Sequence, residues 1–189
     1  MNLEKLPTRD DDGAFYVVVE SPRGSPVKLK YRADLDAFTV SRPLMLGLTY
    51  PFDWGFVPST RVDDGDPLDA MVLWDVPTAP GVVVPCRAVA VVRVEQDAKN
   101  KGRRERNDRV LAVPIASARG AEIHGPEDIG ERVRKELERF FVAATGFSGK
   151  SPKVLGWGDA SEAEALVESS RLDRAEAREA SEPAAPQTH

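Results

Sequence analysis

A chain of 189 residues, 41% hydrophobic and 30% charged, fits one compact domain with a tail, and no apolar run approaches the roughly 20 residues that a membrane helix needs. The formal charge of −5 argues against nucleic-acid binding despite the basic cluster at residues 99–109, and a single cysteine, Cys86, leaves no disulfide framework to read. Two histidines are too few for a typical zinc site, so a catalytic metal must be held by oxygen, which points to magnesium or manganese.

The opening MNLEKLPTRDDDG lacks an apolar leader, so the mature chain is expected to begin near Met1 and to work in a reducing, cytoplasmic setting. From Ala14 to Glu20 the run AFYVVVE is rich in β-branched and aromatic residues, and Val27 to Tyr31 alternates apolar and basic side chains. Both read as strands, and the SPRGSP between them is turn chemistry, so the pair is expected to form a hairpin. Further short strands are predicted at Phe38–Val40, Leu46–Tyr50, Ala70–Val76 and Leu111–Ile115, with one or two more inside Gly81–Glu95. No crossover helix separates them. That spacing favours a small antiparallel barrel over a parallel α/β sheet.

Helices arrive late. Pro126 to Ala144 sets Ile129, Val133, Leu137, Phe140 and Phe141 at helical spacing, with acids in the first turn where the helix dipole favours them. After Gly158 an Asp159-to-Glu162 capping-box pattern opens a second helix, which is expected to fray into a disordered tail. The expected organisation is a domain over residues 1–158 and a helix with tail over 159–189.

The sharpest feature is DGDPLD, Asp64 through Asp69, preceded by Asp63 and lying between apolar strand candidates. Asp64 and Asp66 stand two apart on one face of an extended segment, Gly65 permits close backbone approach, and Pro67 fixes the exit toward Asp69. Three carboxylates can then converge, and cations are the natural compensation for their repulsion. A solvated acidic turn is the plain alternative. A calcium EF-hand loop would need a longer ligand series ending in glutamate.

With its flanks, DGDPLD resembles the signature of the family I soluble inorganic pyrophosphatases. The likeness runs in order from about Leu3 to Trp157, through VVVE at Val17–Glu20, Lys28, Arg42, YPFDWGFVPST at Tyr50–Thr60, VLAVP at Val110–Pro114 and LGW at Leu155–Trp157. The resemblance implies a mainly β fold with flanking helices, a five-stranded OB-like barrel, several Mg2+ ions with Mn2+ as a substitute, pyrophosphate as substrate and a homo-oligomer. It implies that Asp64, Asp66 and Asp69 hold metals, that Asp66 also orients or deprotonates the attacking water, and that Glu20 shapes the metal site. Lys28, Arg42 and Tyr50 match positions that grip phosphate or line the cleft, and Arg109 stands where the family has a basic residue. The chemistry needs these types: pyrophosphate is densely anionic, and metals lower the pKa of bound water from about 15.7 toward 7.

Some positions depart from the pattern. Lys30 stands where the family usually has glutamate, Trp54 replaces a tyrosine, and Ala144 and Thr145 replace an expected Tyr-Lys pair, for which Lys150 or Lys153 could substitute. A further pair of acids is expected before VLAVP, and Asp97 and Asp108 are chosen as metal ligands. Counting back from Pro114 without a gap instead reaches Gln96 and Asn107, one place off each, with Glu95 a competitor. The departures motivate an alternative, a catalytically weakened phosphate-binding or regulatory protein on the same barrel. A nucleic-acid-binding OB-like module finds little basic-aromatic interleaving to support it.

Overall fold

The computed structural model describes residues 2–98, 102–145 and 149–172. Strand β1, Phe15–Ser21, is the apolar run near the start, and all but one of its residues are buried. It is followed by β2, Val27–Arg32, and β3, Ala37–Pro43, which pair only with each other in a two-stranded sheet. β4 (Asp53–Phe56), β5 (Asp69–Val72), β6 (Val83–Asp97), β7 (Arg104–Arg106) and β8 (Arg109–Pro114) complete the first part of the fold. Helix α1 (Glu131–Ala144), β9 (Lys153–Gly158) and helix α2 (Ala160–Ser169) follow. The expected hairpin of β1 with β2 does not form: β2 pairs with β3, and β1 pairs with β4 and β6 instead.

The pairings β1–β4, β4–β5, β5–β8, β8–β6 and β6–β1 close a ring of five strands. β6 makes this closure possible. Its 15 residues pair with β1 near the start and with β7 and β9 near the end, and a register shift between Ala88 and Ala90 bends it along β8. One pair, β5 with β8, is parallel rather than antiparallel as expected, because the chain between them returns through β6 and β7 instead of a tight turn.

Period-two alternation divides the interior. Met71, Leu111 and Val113 face one cluster, with Leu137, Phe140 and Phe141 of α1, whereas Ala70, Val72, Val110 and Ala112 face another with Ala163 and Val167 of α2. Each fully buried large side chain contributes about 1.5–3 kcal/mol. Asp159 caps α2 as its sequence predicts, accepting from the Glu162 N–H at 2.9 Å. α2 is thus part of the barrel's packing rather than of a tail, while residues 173–189 lie outside the described residues.

Leu46–Tyr50 is not a strand. Pro43 ends β3, and Tyr50 instead exchanges backbone hydrogen bonds with the turn ahead of β2, to Ser25 and from Gly24. β4 went unpredicted because DWGF lacks alternation. Its Gly55 answers to a neighbour, since a Cβ there would lie 1.9 Å from the Val18 carbonyl oxygen. In α1 the helical turns begin at Glu131, after a 3-10 turn at Pro126–Asp128, and Val133 is solvent-facing rather than buried.

Candidate active site

Between the β2–β3 hairpin, the barrel and the C-terminal end of α1 lies a cleft of about 240 Å³. The acidic loop forms one side. Gly65 adopts φ +86°, a backbone that favours glycine, and lets the chain double back so that the Val62 N–H reaches the Asp66 carbonyl at 3.0 Å. Asp64 Oδ1 accepts from the Asp66 N–H at 3.1 Å, and its Oδ2 accepts from Asn107 Nδ2 at 3.3 Å. Beyond Pro67 the buried Leu68 anchors the exit, its N–H donating to Thr60 Oγ1 at 2.9 Å. Asp69 then opens β5 opposite Phe56, at the edge of the barrel.

The basic side is built from two elements. Lys28 and Arg42 are cross-strand partners on the hairpin, where the Arg42 guanidinium donates to the Ala144 carbonyl and Lys28 Nζ lies 6.0 Å from the centre of the Trp54 ring. Arg109, first residue of β8, is buried with its guanidinium 5.9 Å from the Phe141 ring centre. Tyr50, Trp54, Phe140 and Phe141 make an apolar wall, with ring centres 5.2–6.1 Å apart. In that wall two buried donors, Arg109 Nη1 and Trp54 Nε1, have no hydrogen-bond partner among the described residues. Leaving a buried donor unmatched costs about 1–3 kcal/mol, which an anionic oxygen entering the cleft would recover.

Burial sets the electrostatics. It raises the Asp69 carboxyl above its ordinary range, with Asp64 and Asp66 adding to the effect and Lys28 and Arg109 opposing it. It pushes Glu20 up to about 7, against a 2.7 Å hydrogen bond from the Tyr31 N–H and the charges of Lys28 and Lys30. The Tyr50 hydroxyl is likewise raised and the Arg109 guanidinium lowered, each by desolvation first. Lys30 behaves differently: burial would lower it, but its 2.9 Å ion pair with Asp66 raises it.

Asp64, Asp66, Asp69, Glu20, Lys28, Arg42, Tyr50 and Arg109 all line this one cleft, together with Lys150. Asp97 and Asp108 do not. Asp97 pairs with Arg104 at 2.8 Å, and Asp108 accepts from the Val94 N–H at 2.9 Å and from Arg106 at 2.7 Å. Glu95 is also held by Arg104, at 3.0 Å. The positions reached by counting back from Pro114 line the cleft instead: Gln96, because neighbours along β6 face opposite ways, and Asn107, in the link between β7 and β8. Lys153 begins β9 opposite Glu95 and takes no part in the lining. Glu4 does line it, a residue of the first short turn that no sequence motif marks.

Among the described residues no three acidic, histidine or cysteine side chains form a ready-made metal cage, and Asp66 is turned to Lys30. The donor set still fits a divalent cation. Asp64 and Asp69 supply hard oxygens, and a cation beside Asp69 would offset the burial that chiefly raises its pKa.

Residues 17–174 match the family model described as inorganic pyrophosphatase. The chain belongs to the inorganic pyrophosphatase family. An inorganic pyrophosphatase of Nostoc sp. is 34% identical over 170 residues, covering 90% of this chain and 97% of the relative, and one of Thermus thermophilus is 39% identical over 162 residues, covering 84% and 89%. The crystal structure of the inorganic pyrophosphatase from Thermus thermophilus superposes with a TM-score of 0.82 at 36% identity, over 90% of this chain and 97% of that one. That of Coxiella burnetii gives 0.79 at 34%, over 87% and 97%. This member of the inorganic pyrophosphatase family sets two carboxamides, Gln96 and Asn107, and a lysine, Lys30, beside its aspartates.

Proposed function

We propose that the cleft hydrolyses pyrophosphate to two phosphates, with Mg2+ as the cation held by Asp64 and Asp69 and with Mn2+ able to replace it. The observation that carries this reading is the opposition, within one cleft, of the DGDPLD carboxylates and two buried N–H donors without a partner among the described residues, Arg109 Nη1 and Trp54 Nε1. Lys28, Arg42 and Arg109 grip phosphoryl oxygens, and Tyr50 lines the wall against which the anion rests. When bound, the cation supplies positive charge at the transferring phosphoryl group and acidifies water. Asp66 orients the attacking water and takes its proton. Glu20, buried beneath the hairpin lysines, tunes the field at Asp69. The aromatic wall keeps the surroundings poor in water, so each charge acts through a lower dielectric.

Phosphate release from pyrophosphate in the presence of Mg2+ tests the proposal directly. Turnover that Asp66→Asn lowers by roughly 10²–10⁴ is the expected result for loss of a positioned base. Pyrophosphate binding without release, in the unaltered protein, would instead favour a weakened phosphate-binding protein on the same barrel. The buried, unpaired Cys86 supports a reducing cytoplasmic location. Among the described residues no helix is long and apolar enough to cross a membrane. The exposed Val40 and Leu46 support assembly into a homo-oligomer, which light scattering would detect.

A further inference from the structure

Lys30 occupies an unusual place for an ammonium. Its Nζ stands 2.9 Å from Asp66 Oδ1, and the charges of Glu20 and Asp69 also act on it. Glu4, on the same lining, feels Lys30 and Asp66 in turn. One fixed cation thus faces four carboxylates contributed by four segments: the initial short turn, the end of β1, the acidic loop and the start of β5. Such a position at the mouth of a hydrolytic cleft is one that a mobile divalent ion could otherwise fill.

The rest of the lining has the same balance. Its carboxylates are Glu4, Glu20, Asp64, Asp66 and Asp69, against the cations Lys28, Lys30, Arg42, Arg109 and Lys150. Equal formal charge leaves no surplus to draw in several dications. Where a carboxylate would add negative charge, the lining offers carboxamides. Asn107 already donates to Asp64 at 3.3 Å, and the Gln96 side-chain oxygen is buried with no hydrogen-bond partner among the described residues. An amide oxygen can ligate a hard cation without adding charge.

We propose that Lys30 acts as a built-in cation in place of a divalent ion, so that this cleft takes one divalent cation, at Asp64, Asp69 and the Gln96 amide oxygen, rather than several. The inference rests on the hydrolytic reading for the anion that the cation serves. It also departs from the several Mg2+ ions that the family resemblance implies. Lys30 is tethered to the chain beside Asp66, so one charge of the cation set stays in place whatever the metal concentration. Arg109 and Lys28 supply the remaining positive charge from the other side of the cleft.

The test counts ions without turnover. The full chain is titrated with Mn2+ in the absence of pyrophosphate, free Mn2+ being read by electron paramagnetic resonance and heat by calorimetry. The unaltered protein is expected to bind one Mn2+ per chain. Lys30→Glu replaces a positive by a negative charge beside Asp66 and is expected to gain a second Mn2+ and to hold the first about tenfold or more tighter, the range that a neighbouring charge commands. Lys30→Met, which adds no acid and preserves the stem, is expected to tighten the first site alone, so the proposal remains testable if the glutamate variant misfolds. Two or more Mn2+ ions on the unaltered protein, or counts and affinities that neither substitution changes, overturn it. Phosphate release is measured separately. One Mn2+ bound without turnover sinks the hydrolytic reading and leaves this inference standing, whereas turnover with two or more ions bound does the reverse.

Discussion

Glu20 is the buried carboxyl whose protonation should be visible in stability. It stands next to last in the apolar strand β1 with 6% of its surface exposed, and burial raises its pKa from 4.5 to about 7. The unfolded chain releases this proton near the ordinary glutamate value, so between those two pH values the folded state holds more protons than the unfolded one. Stability is then present in full below pH about 4.5 and is lost as pH rises through about 7. Moving the carboxyl from 4.5 to about 7, at about 1.36 kcal/mol per pH unit, corresponds to roughly 3 kcal/mol. Glu20→Gln removes the ionisation and keeps an oxygen to accept the Tyr31 N–H. Urea unfolding in EDTA at pH 5 and pH 8 is the assay, because a bound cation would alter the field. The native protein should lose about 2.5 kcal/mol relative to the variant across that interval, because part of the effect lies below pH 5, with Asp69, raised in the same direction, cancelling in the difference. Equal pH dependence in the two proteins would refute the assignment of the shift to this side chain.

Trp54→Phe removes a buried N–H with no partner among the described residues, so the protein without ligand should be unchanged or about 1 kcal/mol more stable, while pyrophosphate KM rises roughly five- to tenfold. Thermal melts and steady-state kinetics on the same preparation check both signs. Phe140→Ala takes an edge-to-face ring from Tyr50, 5.2 Å away, and should cost about 3–5 kcal/mol, a fall in Tm of roughly 10 °C by calorimetry. Arg109→Gln should leave the fold intact and weaken pyrophosphate binding by roughly 10- to 100-fold, measured by calorimetry with a non-hydrolysable analogue.

What the sequence made legible follows the strength of local signals. Alternation and β-branched content located β1, β2 and β8, and the heptad-like spacing of Leu137, Phe140 and Phe141 located α1. β4 was hidden because its Gly55 exists to let Val18 pass, a tertiary demand that leaves no periodic trace. β7 has three residues and β9 carries two glycines, and both gain their strand character from the edge of β6. At the site, the DGDPLD loop carried its own signal. The failure at Asp97 and Asp108 was a preference for acidic residues over register: pairing along β6 and β8 is continuous there, so the gap-free count to Gln96 and Asn107 held the information. Glu4 was out of reach, since only the fold carries the first turn to the cleft.

The hairpin that bears Lys28, Lys30 and Arg42 is not hydrogen-bonded to the ring through a strand ladder. Two alternate N–H groups of β2 are taken by side chains of β1 instead: Leu29 donates to Ser21 Oγ at 2.9 Å, and Tyr31 to Glu20 Oε1 at 2.7 Å. Those two bonds fix which residues of β2 hang over the cleft. Stacking of Tyr31 on Phe56 at 6.3 Å, and the Arg42 contact with the end of α1, complete the attachment. Glu20 therefore has a mechanical part as well as a charge, and two substitutions separate them. Glu20→Gln retains the acceptor, so it should alter the pH profile of turnover and leave pyrophosphate affinity within about twofold. Glu20→Ala leaves the Tyr31 N–H buried without a partner, at a cost of about 1–3 kcal/mol, and frees the lysine strand to shift. Its pyrophosphate KM should rise by roughly tenfold or more at every pH. If alanine and glutamine behave alike, the acceptor at Tyr31 does not set the register of the lysines, and the hairpin is held by the Leu29–Ser21 bond, the Arg42 contact and its aromatic contacts.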